Sequence, residues 1–109
     1  MKFPKDNPIR SEAYRRLIAS LPCTRCGIEG RSQAAHPPPL GKGIKQDDRL
    51  CIPLCGYDSW RGLPGCHWMA DNYIQRNHEE TVAWFDEASK ELRARIKTSG
   101  MWPKGLPEL

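Results

Sequence analysis

The sequence is short of the side chains that build a large hydrophobic core, since hydrophobic residues make up 39% and aromatic residues only 8% of its 109 residues. It has no apolar run near the roughly 20 residues that a membrane-spanning helix needs. The first ten residues, MKFPKDNPIR, contain no apolar segment of the kind found in a secretory signal. We therefore expect one small cytoplasmic domain over residues 1–109, without a membrane partner and of a size that often needs a metal ion or disulfide bonds for stability.

A strong excess of charge of one sign is also missing. Lys and Arg number 17 against 13 Asp and Glu, which gives a formal net charge of +4. This balance is compatible with a polyanionic partner but does not require one. Any affinity for DNA must therefore depend on where the basic side chains lie.

Cysteine, in contrast, is well represented, with five residues. Thiols stay reduced in the cytosol, so metal binding is a better interpretation than a disulfide framework. Residues 23–27 read CTRCG, in which two residues between the cysteines allow both sulfurs to bind one tetrahedral ion. We predict a structural Zn²⁺ held by Cys23, Cys26, Cys55 and Cys66, with Cys55 at the end of a strand and Cys66 at the start of a helix.

Three alternatives remain for this site. A redox-active pair is one interpretation of C-x-x-C, although the βαβ pattern that flanks such pairs is missing. Ten residues separate Cys55 from Cys66, which is long for a second cysteine pair, and Cys51 is the first substitute if either fails. His67 can also replace Cys66 as the fourth ligand.

The coarse secondary structure is that of an α+β domain with a core over about 11–76. Helices are predicted over about 11–20 and 66–76, and short strands near 33–36 and 50–54.

A C-terminal helix is predicted over about 78–98, where Asn77 and Glu80 have the spacing of a capping box. Arg93 is expected on its solvent side. Apolar side chains follow at helical spacing and are expected to pack inwards: Val82, Phe85, Ala88, Leu92 and Ile96.

Two histidines and a carboxylate form a candidate active site. His36 follows the C-x-x-C pair by ten residues, and histidine is the side chain best adapted to proton transfer near neutral pH. Asp71 lies four residues after His67, so both share one face of a helix and form a plausible ligand pair for a divalent cation. The simpler interpretations are a structural role for His36 and a solvated surface acid at Asp71.

Four segments, taken in order, resemble the HNH, or His-metal finger, nucleases: Cys23-x-x-Cys26, Ala35-His36, the segment 48–55 and Cys66-His67-x-x-x-Asp71. Among these nucleases the chain is most similar to phage and prophage proteins of the recombination-enhancement type, over roughly residues 11–75. The resemblance implies a zinc-stapled treble clef (a ββα-metal finger) with an additional N-terminal helix and a C-terminal helix. It also implies a metal-dependent DNA endonuclease of phage or prophage origin, with DNA and possible phage or host recombination proteins as partners.

The resemblance assigns a role to each matching residue. His36 matches the general base that activates water, and His67 and Asp71 match the ligands of a catalytic Mg²⁺ or Mn²⁺. Asp48 falls near the middle Asn of the family pattern, which orients the base. Ala35 departs from the pattern, because the family has an Asp or His metal ligand before the catalytic His. The loop 56–65 is a second departure, since it is enlarged.

Basic side chains near these motifs are candidate contacts to DNA: Arg25, Lys42, Lys45 and Arg61. In the enlarged loop, Trp60 can add base or sugar stacking to a phosphate contact from Arg61. The alternatives to an endonuclease are a non-cleaving zinc-stapled DNA-binding or recombination accessory module, which Ala35 favours, and a protein-interaction zinc domain, which the modest net charge favours.

Overall fold

The computed structural model describes residues 8–38 and 46–109. They form a small α+β unit with three helices and two strands. In chain order these are α1 (Glu12–Ala19), β1 (Ser32–Ala35), β2 (Ile52–Cys55), α2 (Cys66–Asp71) and α3 (His78–Thr98), and a 3₁₀ helix, Asp48–Leu50, precedes β2. Within the described ranges, no helix is both long and apolar enough to cross a membrane.

The two strands pair antiparallel, with Ser32 opposite Cys55 and Ala35 opposite Ile52. A two-stranded sheet is not stable alone in water, so it must be covered. All of β2 is buried, and α1, α2 and α3 all pack against it, while α1 also packs against β1. The sheet is therefore the centre around which the helices gather.

Local signals explain where the helices begin. The Ser11 side chain accepts a hydrogen bond from the Tyr14 N–H at 3.1 Å and caps α1. The predicted capping box of α3 is confirmed, because Asn77 Oδ1 accepts from the Glu80 N–H at 2.8 Å and Glu80 Oε1 from the Asn77 N–H at 2.9 Å. The predicted range of this helix, 78–98, is also confirmed.

Helix α3 contributes to two hydrophobic clusters. Phe85 packs beside the sheet and three of the cysteines, whereas Leu92 and Ile96 pack against Tyr14 and Ile18 of α1. The prediction that Val82 and Ala88 also point inwards was only partly right, since both are half-buried.

Two predictions for the helices were wrong. Helix α2 ends at Asp71 rather than near Arg76, because Tyr73 adopts a φ of 53°, in the left-handed region that a helix cannot continue through. Arg93 is buried rather than solvated, and its Nη1 donates to the carbonyl oxygen of Arg49 at 3.1 Å. This contact ties α3 to the 3₁₀ helix.

The substitution Phe85→Ala tests the first cluster. Phe85 is 1% exposed, so its truncation leaves a cavity beside the sheet and should lower the free energy of unfolding by about 3–5 kcal/mol. Urea denaturation of the zinc-loaded protein measures this loss. Glu87→Ala, at an exposed position of the same helix, is the control and should change stability by no more than about 0.5 kcal/mol. Equal effects of the two variants would contradict the packing of α3 on the sheet.

Candidate metal centre and the cleft beside it

The four predicted cysteines come together, with the Sγ atoms of Cys23, Cys26, Cys55 and Cys66 all within 4.8 Å of one another. The sulfurs of Cys26 and Cys55 are 3.8 Å apart. Four thiolates on one Zn²⁺ at about 2.3 Å lie about 3.8 Å from each other by tetrahedral geometry. The donor set and its spacing therefore fit a zinc ion, and these four cysteines can hold a metal.

The first cysteine pair lies in a tight turn after α1. The Cys23 N–H donates to the Ile28 carbonyl and the Gly27 N–H donates to the Cys23 carbonyl, both at 2.9 Å. Gly27 has a φ of 79°, which glycine adopts without steric cost. The Thr24 N–H donates to the Pro53 carbonyl at 2.8 Å, so the turn is fastened to β2.

The second pair depends on a close approach of the backbone at Gly65. A Cβ at this position would lie 2.2 Å from the carbonyl oxygens of Cys55 and Gly56, so only glycine fits. The chain leaves the sheet at Cys55 and returns beside it at Cys66, whose N–H donates to Cys55 Sγ at 3.3 Å. The ten-residue loop between the two cysteines therefore does not separate their sulfurs.

Neighbouring groups shift the proton affinities of these thiols. Burial favours the neutral thiol of Cys23, but the N–H groups of Cys26, Cys55 and Arg25 lower its pKa to about 7. Burial raises the pKa of Cys66 to about 12, against the opposing effect of Arg25, whose Nη1 donates to its sulfur at 3.3 Å. A coordinated thiol loses its proton to the metal's charge, so metal binding by this group is coupled to proton release.

The alternative ligands lie elsewhere. Cys51 is fully buried and lies beside His36 and Asp48, outside the four-cysteine group. Burial, together with the Asp48 carboxylate, raises the pKa of Cys51 to about 12, which keeps it a neutral thiol. His67 makes its own contacts in a cleft on the side of α2.

His36 directly follows β1 and contacts a buried carboxylate. Its Nε2 lies 2.9 Å from Oδ1 of Asp48, which is fully buried at the start of the 3₁₀ helix. The other oxygen of Asp48 accepts from the Ser11 N–H at 2.7 Å and lies 3.0 Å from Arg15 Nε. Because a carboxylate only accepts, this contact requires a proton on Nε2, and the neutral imidazole then has its lone pair on Nδ1.

The predicted His67–Asp71 pair lies on one face of α2, with His67 Nε2 at 3.5 Å from Asp71 Oδ2. On the other side of the ring, His67 Nδ1 is 2.7 Å from Oε1 of Gln33 on β1. Because an amide oxygen only accepts, this contact requires a proton on Nδ1, and the neutral ring then offers Nε2, on the Asp71 side, as a ligand atom for a cation. Gln33 is not among the site residues predicted from the sequence, because a contact between residues 34 positions apart leaves no local signal.

A cleft of about 400 Å³ brings the candidate residues together, a volume within the range of small-ligand sites. His36, His67 and Asp71 all line it. The remaining lining residues are Ala34, Pro37, Pro38, Gln46 and Tyr73.

The four basic side chains that the sequence predicts as DNA contacts differ in their hydrogen-bond partners and exposure. Arg25 is exposed but engaged, since its guanidinium donates to Cys66 Sγ and to the side chain of Gln75. Arg61 Nε donates to Asp58 Oδ2 at 2.6 Å, and its side chain is 62% exposed. Lys42 and Lys45 lie outside the described residues.

Zinc content distinguishes the possible ligand sets. Cys66→Ser removes one of the four clustered thiols, so the purified variant should hold less than one zinc per chain and lose it faster to a chelator. Cys51→Ala removes the thiol outside the cluster and should keep one zinc per chain. Colorimetric zinc release measures both. Normal zinc in Cys66→Ser, or its loss in Cys51→Ala, would contradict this ligand set.

Comparison with known proteins identifies no relative of this chain. No family model, no curated protein and no solved structure matches the chain.

Proposed function

We propose that this chain is a metal-dependent DNA endonuclease of the HNH type and of phage or prophage origin, built on a zinc-stapled treble clef. One observation carries the proposal: His36, whose Nε2 contacts the buried Asp48, lines the same cleft as the His67–Asp71 pair. A base held by a buried carboxylate, in one cleft with a candidate ligand pair for a divalent cation, is the set of groups that metal-assisted hydrolysis of a phosphodiester requires.

The chain order around the cysteines supports the treble clef. The first cysteine pair precedes the β1–β2 hairpin, and the second pair joins the end of β2 to the start of α2. A zinc ion on these four thiolates would fix α2 against the sheet. Since β1 leads into His36 and α2 carries His67, the zinc would hold the two halves of the cleft at a constant separation.

In the proposed reaction, His36 is the general base. Its Nδ1 takes a proton from a water molecule, whose oxygen attacks the phosphorus as the bond from phosphorus to the leaving ester oxygen breaks. His36 then returns the proton to solvent, and the leaving oxygen takes a proton from solvent. Asp48 acts through His36, because its contact with Nε2 holds the tautomer and stabilises the imidazolium that forms.

His67 Nε2 and Asp71 Oδ2 are the proposed ligands of Mg²⁺ or Mn²⁺. A cation bound there would polarise the scissile phosphate and stabilise charge on the leaving oxygen. Gln33 orients the imidazole of His67 through Nδ1, as outer residues around metal-binding histidines commonly do.

A second candidate function is a zinc-stapled DNA-binding or recombination accessory module that does not cleave. Ala35 favours it, since this position, which carries a metal ligand in the HNH pattern, holds a methyl group that is fully buried in the core. Only two protein ligands then remain for the catalytic cation, with water and phosphate completing its coordination.

Nicking of supercoiled plasmid tests the endonuclease. The zinc-loaded protein should nick DNA only when Mg²⁺ or Mn²⁺ is added, and His36→Ala should lower the rate by about 10²- to 10⁴-fold through loss of the general base. Gel electrophoresis of the time course measures the rate. His78→Ala is the matched control, because His78 lies at the start of α3, outside the cleft lining, and its loss should leave the rate unchanged.

Absence of nicking by the unaltered protein with either cation, while DNA binding persists, would replace the endonuclease with the non-cleaving module. Nicking that persists at full rate in His36→Ala would show that the base is another group.

The role of Gln33 is tested separately. Gln33→Ala removes the acceptor on His67 Nδ1, and loss of such an orienting contact should raise the Mn²⁺ concentration for half-maximal nicking about 10- to 100-fold, with a smaller effect on the saturated rate. Titration of the nicking rate with Mn²⁺ measures this shift. Ser32→Ala, on the same strand, is the control and should leave it unchanged. An unaltered Mn²⁺ requirement in Gln33→Ala would contradict the positioning role.

A further inference from the structure

The enlarged loop between Cys55 and Cys66 is a small hairpin with a defined shape. Asp58 and Leu63 form an antiparallel bridge, with N–H to carbonyl distances of 2.9 and 3.1 Å in the two directions. Gly62 adopts a φ of 67° in the turn between them. Backbone hydrogen bonds thus close the loop upon itself.

The Asp58 side chain holds the tip of this hairpin from within. It is 7% exposed, and its Oδ1 accepts from the N–H groups of Trp60 and Arg61 at 3.1 and 3.2 Å. The guanidinium groups of Arg61 and Arg31 lie 2.6 and 3.1 Å from its oxygens. The Asp58 carboxylate therefore holds two backbone N–H groups and two guanidinium groups, which restricts the conformation of the hairpin tip.

On this fixed tip the Trp60 side chain is 92% exposed. Two other tryptophans pack against neighbouring side chains: Trp84 contacts Phe85 and Arg76, and Trp102 contacts Tyr14. Because the hairpin holds the Trp60 backbone and leaves its indole in solvent, the indole contributes little to the fold.

The hairpin is attached to the wall of the candidate cleft. A Cβ at Gly56, where the loop begins, would lie 2.7 Å from Nε2 of Gln33, and the same Gln33 side chain contacts His67. The loop ends at Gly65, directly before Cys66 and His67. Both ends of the hairpin therefore lie close to His67.

We propose that Trp60 is a stacking platform for an unpaired base of a nucleic acid strand that leads into the cleft, with Arg61 and Arg31 beside its phosphates. This inference rests on the proposed function and adds a preference for single-stranded or locally unpaired substrates. A single protruding indole can stack only on a base whose face is open. The bases of an unpaired strand have open faces, whereas in a duplex the neighbouring bases cover them.

The charges at the tip favour a nucleic acid over a protein partner. Two guanidinium groups surround the single carboxylate of Asp58, and the side chain of Arg61, which follows Trp60 in the sequence, is 62% exposed. An aromatic face with cationic neighbours is the combination that binds single strands with little sequence preference, because every base has a π face.

The test measures binding without added divalent metal, so that it does not depend on cleavage. Fluorescence anisotropy of a labelled single-stranded oligonucleotide should show about 5- to 150-fold weaker binding for Trp60→Ala than for the unaltered protein, the range expected for one lost base–aromatic contact. Trp60→Phe should keep most of the affinity. Met101→Ala, which alters an exposed hydrophobic side chain outside the loop, is the matched control and should bind normally.

An abasic oligonucleotide of the same length separates stacking from charge. The unaltered protein should bind this strand as weakly as Trp60→Ala does, and Trp60→Ala should lose nothing further on it. Binding to a duplex of the same sequence should change less than twofold in Trp60→Ala.

Equal loss on single-stranded, abasic and duplex DNA would overturn the stacking proposal, and so would normal single-strand binding by Trp60→Ala. If the unaltered protein binds none of these DNAs at low salt, the proposal is also overturned and Trp60 serves a protein partner. Failure of the endonuclease is distinguishable, since it leaves single-strand binding and its dependence on Trp60 intact.

Discussion

The convergence of four thiols on one point is the constraint on which the rest of this structure depends. In residues 8–38 and 46–109 there are two four-residue strands and a thin hydrophobic core, so packing alone leaves the long irregular segments weakly held. The cysteine group joins the turn after α1, the end of β2 and the start of α2 within 4.8 Å. A metal at this point would tie three separate segments together and compensate for the small core.

A buried carboxylate forms a second joint near the other end of the two strands, where β1 ends and β2 begins. Asp48 is fully buried, and such a charge is costly unless donors surround it. Here the Ser11 N–H, Arg15 and His36 all approach its oxygens, so the N-terminus of α1, the 3₁₀ helix and the residue after β1 meet at one side chain. The carboxylate that organises this corner also determines which nitrogen of His36 is free, and structural and chemical roles thus fall on one residue.

The cleft is lined by a residue next to each of these joints, His36 beside Asp48 and His67 beside Cys66, so different contacts hold the two histidines. His36 depends on Asp48, whereas His67 depends on the attachment of α2 at Cys66 and on its contact with Gln33. The enlarged loop 56–65 leaves the sheet at Cys55 and returns at Cys66. The sulfurs of these two cysteines stay close, because Gly65 allows the returning chain to pass within contact distance of Cys55. An insertion at this point can therefore change what reaches the cleft while the sulfurs keep their spacing.

Sequence alone determined the features that depend on local spacing. The capping box and range of α3, the pairing of Cys23 with Cys26 and the shared face of His67 and Asp71 all follow from residues a few positions apart. Only the tertiary structure decided the early end of α2 at Tyr73, the burial of Arg93, the contact of Gln33 with His67 and the exposure of Trp60. These depend on which distant segments meet, and a side chain's partner across 34 or 44 positions is set by the packing of the whole chain, which no local pattern encodes.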